Sequence, residues 1–395
     1  MFQLIFLFLS KFIKLFQKIR PLYFLFLLLA TFSCRSEAEK IAEQTAARNA
    51  LIDSTINQFQ KKLLTQQIDS VFSKYNFNGS VAVLKNEEIL YQKEHGFQDF
   101  NKKIKLDSSS VFAIASVSKQ FTAVLILLQE DLGKLNTDDK VSKYLTDFQT
   151  NQFKNITINE LLNHTSGMSD FGNGLLAEPG KAFNYSNKGF MLLGEIIEKV
   201  SGKSYDENLK QLFGKVRMKN SYSANSFHRK NFASAFTGNF KNYQEVENMP
   251  KRLVDQSISV PAGGVLSTVN DLHRWNTALY QGRILKLESL NKFMEKSADR
   301  NHPILGKMDY GFGIMMNVGK PLAYFHTGYV KGAPSLLIYY PESETSVIIL
   351  SNIADEMSGK NAIFNPHKEI KQITDATQST VIDLRKEMMK TTLPK

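Results

Sequence analysis

The chain holds one cysteine, Cys34, in 395 residues. An intramolecular disulfide is therefore excluded, and stability must come from a packed core. Tryptophan is equally scarce, with Trp275 alone at helical spacing from Leu272 and Leu279, which reads as core. His164, His228 and His273 stand at no metal-type spacing with acidic partners, so no metal site is expected. Arginine-rich clusters with interleaved aromatics are missing as well. The formal net charge of +11 therefore does not indicate nucleic-acid binding.

What is present is the composition of a globular protein, 43% hydrophobic and 22% charged. That is enough for one large domain or two intermediate ones. Residues 1–33 carry four cations, no acid and a dense Leu/Phe block, which is how an export signal is built. The apolar block from Pro21 to Phe32 is too short to span a bilayer comfortably and stops at Ser33-Cys34, before the polar run RSEAEKIAEQ. This resembles a bacterial lipoprotein signal, in which that cysteine carries lipid after cleavage. A lone cysteine beside an ordinary signal is the alternative. Without the four cations of residues 1–33 the charge is +7, which suits an exported protein at an anionic membrane or cell wall.

From Glu37 to Val71 the sequence is rich in Ala, Gln, Lys and Glu and lacks Gly and Pro, so a helix is expected there. Residues 34–74 read as a helical stalk or linker. Asn78-Gly79 marks a turn, and SVAVLKNEEILYQKEHGF follows as a hairpin split at Lys85-Asn86-Glu87. The middle of the chain is a helical pattern broken by loops. Near the end, MDYGFGIMMNV, PLAYFHTGYV, APSLLIYYP and SVIILSN are β-branched and aromatic runs. Strands at both termini flanking a helical middle predict an α/β (α+β) domain: one antiparallel sheet from both chain ends, flanked by helices, with an inserted all-helical region. The expected bounds are 75–380, with the sheet part at 75–115 and 300–380, the helical part at 116–300 and a tail at 381–395.

Ser116 and Lys119 in ASVSKQFTAVLILLQ are three residues apart at the head of an apolar helix, which places both side chains on one face. A serine hydroxyl attacks only when a base takes its proton, and a lysine can do so only if burial or positive potential discourages its ammonium form. A helix N-terminus supplies that potential and part of an oxyanion hole. A plain helix cap beside a solvated lysine is the competing reading. The pattern recurs at Ser289–Lys292, but inside a helical pattern with no preceding turn, and reads as surface. Tyr185-Ser186-Asn187 lies in a loop after Pro179-Gly180 and before a helix, and His326-Thr327-Gly328 lies in a β-rich run. Taken alone, each is more simply a cap or a strand.

Together and in this order, Ser-x-x-Lys, Tyr-x-Asn and His-Thr-Gly resemble the serine β-lactamase and penicillin-binding protein superfamily. The likeness is strongest to its class C β-lactamase-like branch, which includes D-alanyl-D-alanine carboxypeptidases, D-amino peptidases and esterases. LLNHTSGM, VPAGGVLSTVNDLHRW and YGFGI belong to the same resemblance, which covers about residues 78–352. It implies a sheet-plus-helices domain beside a helical one, with the site between them and no cofactor or metal. It also implies that Ser116 is the nucleophile, Lys119 its activating partner and Tyr185 a proton shuttle. Asn187 would bind the substrate amide or orient Lys119, and Thr327 would offer a hydroxyl to the substrate. The N–H groups of Ser116 and Tyr329, the residue after Gly328, would form the oxyanion hole. His326 stands where class C β-lactamases carry a lysine, and a histidine is charged only part of the time near neutral pH. Efficient β-lactam hydrolysis is accordingly less expected than action on cell-wall-type D-amino peptides or small esters, by an exported, membrane-anchored bacterial enzyme. A true β-lactamase and a non-catalytic cell-envelope module are the other readings.

Overall fold

The computed structural model describes residues 36–390 apart from 151, 173, 255–258 and 360. Residues 1–33, expected to be an export signal, and Cys34 lie outside the described residues. Helix α1 (Glu37–Tyr75) opens on a capping box, in which the Glu39 amide donates to Ser36 Oγ and the Ser36 amide to Glu39 Oε2. It stops where Asn76 takes a left-handed φ of +45°.

Eight antiparallel strands form the main sheet: β1 (Gly79–Lys85), β2 (Glu88–His95), β3 (Ala298–His302), β4 (Gly306–Tyr310), β5 (Met315–Met316), β6 (Tyr324–Val330), β7 (Ala333–Tyr340) and β8 (Thr345–Ser351). Their spatial order is β3-β4-β5-β6-β7-β8-β1-β2, so the N-terminal hairpin completes a sheet made chiefly by the C-terminal third. The other helices used below are α2 (Lys119–Asp131), α3 (Asn187–Ser201), α4 (Val269–Tyr280) and α5 (Asn365–Lys390).

The period-2 alternation of the central strands gives the sheet two apolar faces. Val81 and Val83 of β1, Leu336 and Ile338 of β7 and Val347 and Ile349 of β8 pack with Leu64, Ile68, Val71 and Phe72 of α1 and Ile370 of α5. The residues between them, Ala82, Leu337, Ile348 and Leu350, belong to the core shared with α2, α3 and α4, where Trp275 is fully buried. The α/β fold built from both chain ends is thus as expected from the sequence.

Three details differ from the expected layout. The core of the sheet domain begins inside α1 rather than at residue 75, because every third or fourth side chain from Leu64 on is apolar and turned to the sheet. At the other end, α5 runs through Lys390, with Val381 still buried. The middle region is also not all-helical. It contains a hairpin (Phe236–Asn239 and Asn242–Glu245) and a three-stranded patch formed by Phe112–Ala113, Val265–Ser267 and Tyr222–Ser223. Strands of two to four residues are too short for an alternating pattern to be read.

By contacts the described residues divide into 58–384, which hold the sheet and the candidate site, and a second unit made of 36–57 and 385–390. Within the second unit, Arg385 pairs with Asp53 (Nε to Oδ1, 2.7 Å) and Arg48 donates to the Met388 carbonyl (2.9 Å).

Ile68 is fully buried whereas Ile41 is 52% exposed. We expect Ile68→Ala to lower unfolding free energy by about 3 kcal/mol and Ile41→Ala to change it by less than about 0.5 kcal/mol, read by chemical denaturation. Equal, small effects would make α1 a free stalk along its whole length.

Candidate active site

Ser116 sits in a single 3-10 turn, Ala115–Ser118, that leads directly into α2. The turn is tied on two sides. Ile114 donates its amide to the Val265 carbonyl (3.2 Å) and accepts from Ser335 Oγ (2.8 Å), and Ser118 Oγ accepts the Val265 amide (3.0 Å). Ala115, the residue before the serine, is held at φ +47°, a conformation that costs a non-glycine residue about 1–2 kcal/mol. Gly328 of β6 presses on the same turn: a Cβ there would lie 2.2 Å from the Ile114 carbonyl oxygen and 3.1 Å from Ala115 Cβ. Glycine at 328 is therefore required for the strand to reach the serine, and Tyr329 follows immediately.

Lys119 is fully buried one turn on. Its Nζ is 2.7 Å from the Ala262 carbonyl, 2.8 Å from Asn187 Oδ1 and 3.3 Å from Ser116 Oγ. The carbonyl and the amide oxygen can only accept, so each takes an N–H. A neutral amine then has its lone pair left for the Ser116 hydroxyl proton. Burial holds the Lys119 ammonium below the ordinary lysine value, and the Arg300 cation adds to that effect, while Tyr185 and Asp170 oppose it. Lys119 is thus chemically able to act as the base for Ser116.

Tyr185 and Asn187 flank the N-cap of α3. The ring centroid of Tyr185 is 4.8 Å from Lys119 Nζ, and Ser186 Oγ accepts the Gly189 amide (3.0 Å). Asp170 clamps this helix start: it accepts from Ser186 Oγ (2.8 Å), the Asn187 amide (3.0 Å) and the Lys188 amide (3.0 Å). A carboxylate at free helix N–H groups is favoured by the helix dipole. His164, buried at φ +62°, accepts the Ser186 amide on Nδ1 (3.1 Å) and packs against Tyr185, with ring centroids 4.3 Å apart and planes tilted by 37°.

His326 does not carry the part-time charge expected of it. Its Nδ1 donates to the Thr327 carbonyl (2.5 Å), so Nε2 is bare and accepts from the Tyr310 hydroxyl (3.0 Å). Burial, reinforced by the Arg300 and Lys119 cations, pushes it well below the ordinary histidine range, and it is neutral. The fixed cation of the site comes from β3 instead. The Arg300 guanidinium lies 4.8 Å from the Tyr185 ring centroid, 5.5 Å from Phe183 and 5.6 Å from Tyr310. Thr327 Oγ1 is 3.4 Å from His302 Nε2, while His302 Nδ1 accepts the Ile304 and Leu305 amides. The Tyr329 hydroxyl donates to Glu356.

Ser116, Lys119, Tyr185 and Asn187 are therefore joined by direct contacts, with Gly328 against the serine turn and His326 and Thr327 on the same strand. The second Ser-x-x-Lys copy has another role. Ser289 is buried and donates to Asp131 (2.6 Å), and Lys292 pairs with Glu130 (3.2 Å), so both tie their helix to the end of α2. Sequence reasoning missed Asp170, Arg300 and Tyr310 and discounted His164. For His164 and Tyr310 there was a signal, since they lie in LLNHTSGM and YGFGI. Nothing local distinguishes Arg300 from the other exposed-looking cations. Among the described residues no three His, Cys, Asp or Glu side chains group as a metal site would need.

A serine at the head of a helix, a buried amine against it and a sheet strand pressed on its turn define the class: the chain is a serine hydrolase of the serine β-lactamase and penicillin-binding protein superfamily. The pattern of the Beta-lactamase family matches residues 53–365. The chain belongs to that family. It is 28% identical over 352 residues to Penicillin-binding protein 4* of Bacillus subtilis (strain 168), covering 80% of this chain and 77% of that one. It is 29% identical over 267 residues to the Teichoic acid D-alanine hydrolase of Staphylococcus aureus (strain MRSA252), covering 62% of this chain and 65% of that one. The structure of D-amino acid amidase from Ochrobactrum anthropi SV3 superposes with a TM-score of 0.69 at 21% identity, over 82% of this chain and 99% of that one, which is a likeness of fold.

Two substitutions test the geometry. Lys119→Arg keeps a cation that cannot deprotonate, and we expect acylation of Ser116 to fall by about 10²–10⁴-fold with the fold retained. Gly328→Ala places a methyl against Ile114 and should lower both melting temperature and acylation rate. A Lys119→Arg enzyme with parental rates would remove lysine from the role of base.

Proposed function

We propose that this protein is an exported hydrolase that cleaves D-amino peptides of cell-wall type through an acyl-enzyme on Ser116. The observation that carries the reading is the buried Lys119 amine, with two N–H groups committed to Ala262 and Asn187 and the third position facing Ser116 Oγ.

In the first half-reaction Lys119 takes the Ser116 proton as Oγ bonds to the substrate carbonyl carbon. The oxyanion meets the Ser116 and Tyr329 amides. The carbonyl–nitrogen bond then breaks, and Tyr185, beside both Lys119 and Arg300, delivers a proton to the leaving amine. In the second half-reaction water gives a proton to the same relay, its oxygen joins the acyl carbon, and Ser116 leaves with its hydroxyl restored. The reaction needs no oxidant, reductant or metal.

Arg300 supports a substrate with a free carboxylate. It is the permanent cation next to Tyr185, His326 is neutral, and Thr327 carries a hydroxyl on the same strand as His326. The names of two similar proteins, a teichoic acid D-alanine hydrolase and a D-amino acid amidase, fit a D-configured acyl group. The signal-like residues 1–33 and Cys34 support attachment to a bacterial membrane through a lipid. Cys34→Ser should move the protein from the membrane fraction to the soluble one, and retention of Cys34→Ser on membranes would contradict a lipid there.

The test is hydrolysis of a D-alanyl-D-alanine-terminated peptide and of the same peptide with an amidated end. Parent enzyme should release D-alanine and Ser116→Ala none. Arg300→Ala should lower kcat/KM for the free carboxylate roughly 10- to 100-fold, the worth of one charge-assisted hydrogen bond, and leave the amidated peptide within about threefold. Steady turnover of a chromogenic cephalosporin with no peptide cleavage would replace this reading by β-lactamase activity. Small D-alanyl esters cleaved in place of peptides would move it to an esterase.

A further inference from the structure

His164 is buried, and its hydrogen bonds run to the loop that carries Tyr185. Its backbone sits at φ +62°, in the left-handed region that few non-glycine residues occupy, asparagine and histidine among them. The carbonyl of His164 accepts the Asn184 amide (2.7 Å), and its Nδ1 accepts the Ser186 amide (3.1 Å). The two residues flanking Tyr185 are thus both hydrogen-bonded to this one residue. Between those bonds the imidazole lies face-near the Tyr185 ring, with centroids 4.3 Å apart and planes inclined by 37°.

Because Nδ1 accepts an amide N–H, it carries no proton of its own. Nε2 is sealed from solvent and has no hydrogen-bond partner among the described residues. A buried ring nitrogen without a partner costs free energy, so another interaction must hold the ring there. Phe183, Phe190 and Tyr310 close the remaining sides at centroid distances of 5.6, 5.1 and 5.2 Å. The charged or titratable groups facing it are Lys119 from α2, Arg300 from β3, His326 from β6, and Tyr185 and Tyr310. The cations among them and burial both disfavour protonation. Protonation would set an N–H against the Ser186 N–H and open the bond.

We propose that His164 is a positioning residue: its bare Nδ1 holds the Ser186 amide while its ring backs Tyr185, and together these set the phenol against Ser116 and Lys119. The proposal rests on the reading of function given above and adds a residue that touches no substrate. A misplaced proton donor costs rate rather than binding, so the effect falls on kcat.

The experiment compares His164→Asn and His164→Gly, both compatible with the left-handed backbone. Asparagine Oδ1 replaces Nδ1 as acceptor, and glycine removes acceptor and ring. We expect His164→Gly to lose about 10- to 100-fold in kcat with KM within about threefold, since general acid–base groups are worth at least that much when displaced. His164→Asn should recover most of the loss, and added imidazole should partly restore His164→Gly. Separately, 13Cζ-tyrosine NMR should show the Tyr185 signal, assigned through Tyr185→Phe, displaced in His164→Gly and near its parental position in His164→Asn. Parental kcat in His164→Gly, or equal losses in both variants, would overturn the proposal. So would a loss of melting temperature with kcat and the Tyr185 signal unchanged. A parent enzyme silent on every peptide and ester would refute the functional reading instead, and the tyrosine signal would still decide the role of His164.

Discussion

The site depends on keeping one amine dry. Lys119 is drawn into the interior by acceptors from two other segments, Asn187 at the head of α3 and the Ala262 carbonyl. Each acceptor is itself fixed. Thr122 donates to the Pro261 carbonyl (2.7 Å), and Gly194 of α3 leaves no room for a side chain against Pro261, where a Cβ would stand 2.4 Å from Cγ. Asp170 holds Asn187 by its amide. Loosening any of these segments would let water reach Nζ, return the ammonium towards the ordinary lysine value and make the amine a poorer base.

The charges around the site follow from that constraint. Two histidines lie close by, and both are neutral because burial and the Lys119 and Arg300 cations act in the same direction. They serve as hydrogen-bond parts with fixed tautomers: His326 joins the Tyr310 hydroxyl to the Thr327 carbonyl, and His164 accepts the Ser186 amide. Permanent positive charge is left to Arg300, and negative charge to Asp170 on the far side of the loop. Neutral scaffold, buried base and a fixed cation are thereby separated into different residues.

Much of this was legible in the chain. The alternation in β1, β7 and β8 is clear enough to place both faces of the sheet, and two of the short motifs carry Ser116, Lys119, Tyr185 and Asn187, which the structure brings together. The parts that were not legible arise from long-range placement. Arg300 sits on the edge strand β3 and meets Phe183 and Tyr185, more than a hundred residues earlier in the chain. Asp170 acts through helix N–H groups that its own neighbourhood does not reveal. His326 was misjudged because its charge state is set by burial and by the Arg300 and Lys119 cations, none of which its own stretch of sequence reveals. The extent of α1 that belongs to the core could not be read from an Ala- and Lys-rich composition, since the apolar stripe from Leu64 on looks the same on a stalk as on a docked helix.

The measurement closest to the central claim is the ionisation of Lys119 itself, followed in the intact protein by NMR of 13Cε-labelled lysine, with Lys119→Arg for assignment. The account predicts a titration midpoint clearly below the ordinary 10.5, with the pH dependence of Ser116 acylation rising through the same midpoint. A midpoint at or above 10.5 would mean that the amine stays charged through the working range. Lys119 would then be a structural cation, and the base for Ser116 would have to be sought at Tyr185.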